Sequence, residues 1–194
     1  MKTKFLRGVS LIEVMVVVGV LASLVSVAAP SLADMLNRRR VVAVAAELST
    51  DLAFARSEVA LRPGPASNVT IYFRQTPSMS CYTMAYLGGV GSCDCTSGPG
   101  NACSGNGPNS QVPEIKTTQV PSSIGVTVVA PVTVTRVGPI SQVGFTWPQL
   151  TASPANFAVT VTGSRGSSLR VRLNGMGRVE TCSPDGTFTG YKAC

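Results

Sequence analysis

The chain has 194 residues, of which 44% are hydrophobic, and its 16 basic and 9 acidic residues give a formal net charge of +7. Histidine is absent, which excludes histidine-based acid–base catalysis and histidine metal ligands. The sequence contains no P-loop, GxSxG or HExxH motif and no readable pair of catalytic carboxylates. We therefore expect a protein that is not an enzyme and needs no cofactor and no metal.

A short basic leader precedes a long apolar segment at the N-terminus. Three basic residues lie before Gly8, and the twenty residues 14–33 carry no charge. A helix of that length extends about 30 Å, enough to cross the hydrocarbon core of a bilayer. The leader predicts a cytoplasmic N-terminus with the rest of the chain on the far side, although Arg38–Arg40 follow the span there.

The order of these features differs from an ordinary secretory signal, in which the small-residue cleavage site follows the apolar region. Gly8–Glu13 reads Gly-Val-Ser-Leu-Ile-Glu and resembles the class III signal of type IV pilins and pseudopilins. The resemblance implies that a prepilin peptidase cleaves after Gly8 and that Val9, which stands where the family usually has phenylalanine, becomes the N-methylated first residue. It also implies a helix-kinking role for Pro30. Cleavage would leave 13 basic and 9 acidic residues, a net charge of about +4.

Glu13 lies at the edge of the apolar segment, where a carboxylate is costly. Insertion scales put this cost at about 2.5–3.5 kcal/mol at the centre of a membrane helix. The resemblance implies that Glu13 pairs with the N-terminal ammonium of a neighbouring subunit in a filament, and such a pair offsets the cost of burying either charge alone. The other interpretation is a plain single-pass anchor with a glutamate near the membrane interface.

The helix is predicted to continue to about residue 61, because an apolar stripe recurs at steps of three and four residues. Arg38, Glu47, Asp51 and Glu58 are predicted to lie largely off this stripe, and the segment 63–65, Pro-Gly-Pro, ends the helix. The stripe consists of Val41, Ala45, Leu48, Leu52, Ala55 and Val59.

The second half of this helix carries a further resemblance. Leu52–Ala60, which reads Leu-Ala-Phe-Ala-Arg-Ser-Glu-Val-Ala, is similar to the helix signature of the pseudopilin-H family, which includes the type II secretion minor pseudopilin H and the fimbrial-biogenesis minor pilin T. The resemblance implies a structural subunit of the bacterial inner membrane with a periplasmic domain. Its implied partners are other major and minor pilins or pseudopilins and the prepilin peptidase, which is also the N-methyltransferase. The cysteine-rich insert favours a type IV pilus over a type II secretion pseudopilus.

Beyond the helix the pattern changes to short runs rich in valine, threonine and aromatic residues, which are typical of strands. Asn174-Gly175 predicts a two-residue hairpin, and residues 163–166 predict another turn. The predicted fold is α+β, with a long N-terminal helix packed on an antiparallel, pilin-type β-sheet domain. The predicted segments are a leader (1–8), a membrane and filament-core helix (9–33), an amphipathic helix (34–62) and a β-rich domain (63–194). The predicted strands are 69–73, 81–86, 124–129, 132–137, 143–147, 157–161, 169–173 and 176–181.

Six cysteines lie beyond residue 80, and an even number of cysteines in an exported domain favours disulfides. Cys182 and Cys194 are predicted to close a terminal loop. Four more cysteines lie in or beside the glycine-rich segment 81–103, and the two that are only two residues apart are predicted to pair outward, in an order that the sequence leaves open. Zinc binding is the alternative for these four. They are Cys81, Cys93, Cys95 and Cys103.

The last thirty residues carry a group of basic side chains, Arg170, Arg172, Arg178 and Lys192 among them. Arg170 and Arg172 share one face of a predicted strand, with Val171 and Leu173 facing the core. Some members of the resembled family bind DNA through a C-terminal Gly-Arg-x-Arg motif, but this chain has Glu180 at the second arginine position. DNA binding during uptake is therefore an alternative function, with a solvated outer face as the simpler interpretation. A tip adhesin that uses the loop 81–103 is a further alternative.

Overall fold

The computed structural model describes residues 10–62, 64, 68–86, 93–103, 113–135 and 138–194, and the predicted cleavage site at Gly8 and Val9 lies outside these residues. The chain divides into two compact units, Met1–Leu36 and Asn37–Cys194. The only α-helix of the described part, α1 (Leu11–Leu61), contributes to both units and continues through Pro30.

The second part of α1 forms the apolar spine of the larger unit. All six residues of the predicted apolar stripe are fully buried there, so this prediction is confirmed. Asp51, which is predicted to lie largely off the stripe, is also buried, at 6% exposed. Its burial depends on ionic and hydroxyl partners that lie on the sheet, far away in the sequence.

Twelve strands follow the helix within the described residues. Most of the predicted strands are present with shifted ends, whereas β3, β6, β8 and β12 were not predicted. The strands are β1 (Val69–Gln75), β2 (Met79–Tyr86), β3 (Glu114–Pro121), β4 (Val126–Val129), β5 (Thr133–Thr135), β6 (Gly138–Ile140), β7 (Gln142–Thr146), β8 (Thr151–Ser153), β9 (Ala158–Gly163), β10 (Ser168–Leu173), β11 (Val179–Ser183) and β12 (Lys192–Ala193).

The strands form two five-stranded sheets and a separate hairpin. One sheet has the order β3-β2-β1-β7-β8, the other has the order β12-β11-β10-β9-β4, and β5 pairs with β6. Neighbouring strands are antiparallel except for β11 and β12, which are parallel. The layout of one long helix with mostly antiparallel sheets confirms the α+β class.

Both sheets contribute to one hydrophobic core with the helical stripe. The alternation of β9 and β10 explains how, because every second side chain of a strand faces the same side. Val159 and Val161 on β9 are fully buried, and Val171 and Leu173 on β10 are each only 1% exposed. Arg170 is half-buried and Arg172 exposed, so the predicted division of β10 between a core face and an outer face is confirmed.

The hairpin between β10 and β11 is longer than the predicted two residues. Residues 174–178 separate the paired residues Leu173 and Val179. The Asn174 side chain explains the difference, because its Oδ1 accepts hydrogen bonds from the backbone N–H of Met176 (3.1 Å) and of Arg178 (2.9 Å). The left-handed position of this turn is Gly177, at φ 71°, and not Gly175.

Candidate functional site

The N-terminal end of α1 places Glu13 in the first turn of the helix. Ser10 O accepts the backbone N–H of Glu13 at 3.0 Å and that of Val14 at 3.2 Å, and the Glu13 side chain is exposed. A carboxylate in the first helical turn interacts favourably with the positive end of the helix dipole. The predicted partner of Glu13, the amine created by cleavage after Gly8, belongs to the residues that the structure does not describe.

The residues after Glu13 form an apolar helical surface. Large side chains such as Leu11, Met15 and Leu24 are 62–79% exposed, and none of the most apolar 18-residue stretch of α1 is buried. By length and composition α1 could cross a membrane, and it is the one helix in the described part of the chain that could. This arrangement fits a single-pass membrane protein.

The arginines that follow the apolar segment bind the larger unit itself. Arg38 Nη1 donates to Thr187 O at 3.0 Å, and the Arg38 guanidinium carbon lies 5.9 Å from the centre of the Phe188 ring. Arg40 Nη1 donates to Ile124 O at 2.9 Å. These contacts attach the start of the domain's helix to two surface loops. Two of the three arginines that oppose the predicted membrane orientation therefore have a structural role in the domain.

A partly buried ionic cluster connects the middle of the helix to the sheet. Lys116 Nζ on β3 donates to both carboxylate oxygens of Asp51, at 2.8 and 2.9 Å, and to Glu47 Oε1 at 3.1 Å. Tyr82 on β2 donates its hydroxyl to Asp51 Oδ2 at 2.7 Å. Burial, with the Asp51 carboxylate beside it, raises the pKa of Tyr82 well above its ordinary value. Burial by itself lowers the pKa of Lys116, but the hydrogen bonds to Asp51 and Glu47 outweigh it and raise that pKa.

A second polar cluster lies near the end of the helix and uses the glutamate of the helix signature. Tyr86 on β2 donates its hydroxyl to Glu58, and Arg62 forms an ion pair with Glu58 at 3.8 Å. The Arg62 guanidinium also lies over the Tyr86 ring, with its central carbon 4.7 Å from the ring centre. Burial raises the pKa of Tyr86, and the Glu58 carboxylate raises it further. Glu58 thus holds the helix against β2.

The cysteine-rich segment is held by two disulfides in the structure. Cys81 is bonded to Cys95 and Cys93 to Cys103, while Cys182 is bonded to Cys194 near the C-terminus. These three bonds use all six cysteines of the chain. Within the described residues no group of three or more acidic or cysteine side chains is placed to hold a metal ion.

Carboxylates organise the same loop from both sides. Asp94 Oδ1 accepts the backbone N–H of Thr96 at 3.0 Å, and Arg74 pairs with its other oxygen. Burial alone raises the pKa of Asp94, but the Thr96 hydrogen bonds and the Arg74 charge outweigh it and lower that pKa. Glu114 accepts the backbone N–H groups of Gly100, at 2.9 Å, and Ala102, at 3.1 Å. The loop therefore presents a fixed backbone at its described end.

The basic side chains near the C-terminus are brought only partly together. Arg172 Nη2 lies 3.7 Å from Glu180 across the β10–β11 pair, and Arg172 Nη1 donates to Cys194 O at 3.4 Å. Lys192 lies on β12, at the edge of the same sheet. Because Glu180 already neutralises Arg172, this face offers less positive charge to a phosphate backbone than the sequence alone indicates.

Arg178 lies beside a cleft that residues of the helix also line. It lines this cleft with Arg56, the arginine of the helix signature, and with Glu180. The sequence did not indicate this juxtaposition, nor the roles of Lys116, Tyr82 or Glu114, because each depends on strands or turns far from the helix in sequence.

Comparison with known proteins gives no assignment: no model of a protein family matches the chain, and neither a curated protein nor a solved structure does.

Proposed function

We propose that this protein is a minor pilin or pseudopilin, a structural subunit that takes part in assembling a type IV pilus or a type II secretion pseudopilus. In this proposal the chain catalyses no reaction. It is inserted in the bacterial inner membrane by the first part of α1, with its disulfide-bonded domain in the periplasm. After cleavage behind Gly8 it enters a filament together with other pilin-like subunits.

The observation that carries the proposal is the division of one continuous helix, Leu11–Leu61, into two parts of opposite character. Its first part exposes an apolar surface without a charge over residues 14–33, and its second part is the buried spine of a disulfide-bonded sheet domain. An ordinary membrane anchor does not need to continue as the core helix of the domain it carries. In a filament subunit, the first part of such a helix packs among copies and its second part belongs to the domain that the subunit carries.

The leader and Glu13 supply the chemistry of assembly in this proposal. Removal of residues 1–8 creates a new α-amine on Val9, so that Glu13 becomes the fifth residue of the mature chain. A filament brings the amine of one subunit near the carboxylate of another, and opposite charges in an apolar surrounding stabilise each other strongly once both are desolvated.

The first test is the mass of the chain purified from cells with and without a prepilin peptidase. We expect the mature protein to lack residues 1–8 only when the peptidase is present. Gly8→Leu should block cleavage, whereas Gly19→Ala, a matched change inside the apolar segment, should leave it unchanged. An identical N-terminus with and without the peptidase would remove the basis of the proposal.

The second test concerns assembly, and it uses Glu13→Gln, which keeps the size of the side chain and removes its charge. We expect this variant to be cleaved and inserted normally but to be missing from sheared filaments, because its neutral amide cannot neutralise the neighbouring amine. Ser23→Ala in the same segment is the control. Incorporation of Glu13→Gln at the level of the control would contradict the pairing of Glu13 with the amine.

A further inference from the structure

A cleft lies between the helix and the β10–β11 hairpin in the larger unit. It has a volume of about 430 Å³ and is lined by Ala53, Arg56, Gly177, Arg178, Val179 and Glu180. It therefore combines two arginines and one glutamate with two small apolar surfaces, from one turn of the helix and one hairpin.

Arg56 lines this cleft, and one nitrogen of its guanidinium group lacks a hydrogen-bond partner within the described residues. That nitrogen is Nε, which is buried. Buried polar atoms in native proteins are nearly always paired, so an unpaired guanidinium nitrogen is a specific indication of a missing partner.

The turn of the hairpin closes tightly on Arg56. Gly177 has φ 71°, and a Cβ at this position would lie 2.8 Å from Leu150 O and 3.1 Å from both Arg56 Nε and Phe145 Cε1. Only glycine allows the backbone to approach so closely. The same turn fixes the backbone of Arg178, whose N–H donates to Asn174 Oδ1 at 2.9 Å, and Arg178 also lines the cleft.

The charges of the lining select the kind of anion that fits. The two arginines carry two positive charges, and Glu180 carries one negative charge. Glu180 also pairs with Arg172, at 3.7 Å, so at least one positive charge of the lining stays uncompensated, and a carboxylate can neutralise it. A polyphosphate chain brings several negative charges, and Glu180 repels each of them. Ala53 and Val179 offer apolar contact to the methylene groups of an acidic side chain.

We propose that this cleft binds the carboxylate of an acidic side chain on a protein partner, with Arg56 and Arg178 as the donors. Guanidinium groups bind carboxylates through paired, charge-assisted hydrogen bonds, and Arg56 and Arg178 both line the cleft. The inference needs only the geometry of the larger unit. The identification of the partner with a neighbouring pilin-like subunit rests on the proposed function.

The test uses the full chain in detergent micelles with ¹⁵N-labelled arginine, and it follows the Nε–Hε resonance of Arg56 by NMR. The probe is the α-amide of N-acetylglutamate, which carries one carboxylate, and the α-amide of N-acetylglutamine is its neutral isostere. We expect a saturable shift of the Arg56 resonance with the glutamate probe alone. Arg178→Ala should weaken binding about tenfold or more, the scale of one lost charge-assisted hydrogen bond.

Arg39→Ala is the matched control, because it removes an exposed arginine of the same helix outside the cleft and should leave binding unchanged. Three results would overturn the proposal. The first is no saturable shift with the glutamate probe, and the second is an equal shift with the glutamine probe. The third is a shift of the Arg56 resonance by a thymidine oligonucleotide at a lower concentration of negative charges than the glutamate probe needs. The measurement is made on the isolated chain, so its outcome is independent of cleavage after Gly8 and of entry into filaments.

Discussion

Replacement of Lys116 by methionine should reveal how strongly the ionic cluster holds the sheet to the helix. Methionine keeps most of the length of the lysine side chain and removes only its charge and its donors. The change takes away both hydrogen bonds to Asp51 and the one to Glu47. Among the described residues, Asp51 then keeps the Tyr82 hydroxyl as its one side-chain partner, and the Asp51 side chain is only 9% exposed.

The size of the effect follows from the burial of the two partners. Removal of one member of a fully buried ion pair costs about 3–5 kcal/mol, because the other charge stays behind uncompensated. Lys116 is 39% exposed, so solvent already screens part of its interaction with Asp51. We therefore expect a loss of about 2 kcal/mol at pH 7, which corresponds to a fall in melting temperature of about 4–8 °C for a domain of this size.

The assay is urea unfolding of the unit Asn37–Cys194 with its disulfides intact, followed by tyrosine and tryptophan fluorescence. The matched variant is Asp51→Asn combined with Lys116→Met, which removes the unpaired charge as well and should recover at least half of the loss. A Lys116→Met variant within about 0.5 kcal/mol of the original, or a double variant no more stable than the single one, would refute the reasoning.

The stability difference between the original chain and Lys116→Met should depend on pH in a definite direction. The folded-state pKa of Lys116 is raised, so its stabilisation is fully present below the unfolded-state value of about 10.4 and is lost as the pH rises through the folded-state value. The difference between the original chain and Lys116→Met should therefore be constant from neutral pH up to about pH 9 and should shrink above about pH 10.4.

Three further changes test other contacts. Gly163→Ala should destabilise the domain by about 2 kcal/mol or more in urea unfolding, because the new Cβ would lie 2.2 Å from Asn37 Oδ1; a neutral effect would show that the helix shifts freely. Cys182→Ser with Cys194→Ser should cost about 3 kcal/mol by the loop-entropy model, and an unchanged urea midpoint would contradict it. Because the pKa of Asp94 is lowered in the folded chain, its contribution to loop stability should be complete above the unfolded-state pKa of about 3.9 and should be lost as the pH falls through the folded-state pKa. Hydrogen exchange of the Thr96 backbone amide, which donates to Asp94, measures this loss.

The sequence predicts the helical spine well because its apolar residues repeat with the helical period and are all aliphatic. Val41, Leu48 and Leu52 are all fully buried on the predicted face. The strands β9 and β10 are predicted for a similar reason, since apolar and polar residues alternate strictly along them. In both cases local spacing alone decides which side chains face the core.

Strand β3 could not be predicted in this way, because its residues are mostly polar. Lys116, Thr117 and Gln119 are each paired with groups from distant segments: Lys116 with the helix, Thr117 with Thr83 at 2.7 Å, and Gln119 with Cys95 O at 2.8 Å. A strand stabilised by such partners lacks an apolar alternation. Its membership of the sheet depends on contacts that only the folded chain creates.

The same distinction explains why the cleft at Arg56 was not predicted. A half-buried arginine on a helix looks in sequence like any solvated helix position. Its partners in the cleft come from a hairpin more than a hundred residues later, and the hairpin turn itself differs from the predicted one because the Asn174 side chain captures two backbone amides. A site made by one helix and one distant turn leaves no local pattern.

Polar contacts along the helix have a role that the apolar stripe cannot fill. A stripe repeating at three and four residues, with alanines at positions 45 and 55, would pack in much the same way if the helix slid by one turn. The polar partners do not repeat: Arg38 meets the C-terminal loop, Asp51 meets β2 and β3, and Glu58 meets the end of β2. Sliding by a turn would leave Asp51 buried without Lys116. We therefore infer that the apolar stripe contributes most of the free energy that holds the helix to the sheets. The polar contacts of Arg38, Asp51 and Glu58 fix the axial register of the helix against the sheets.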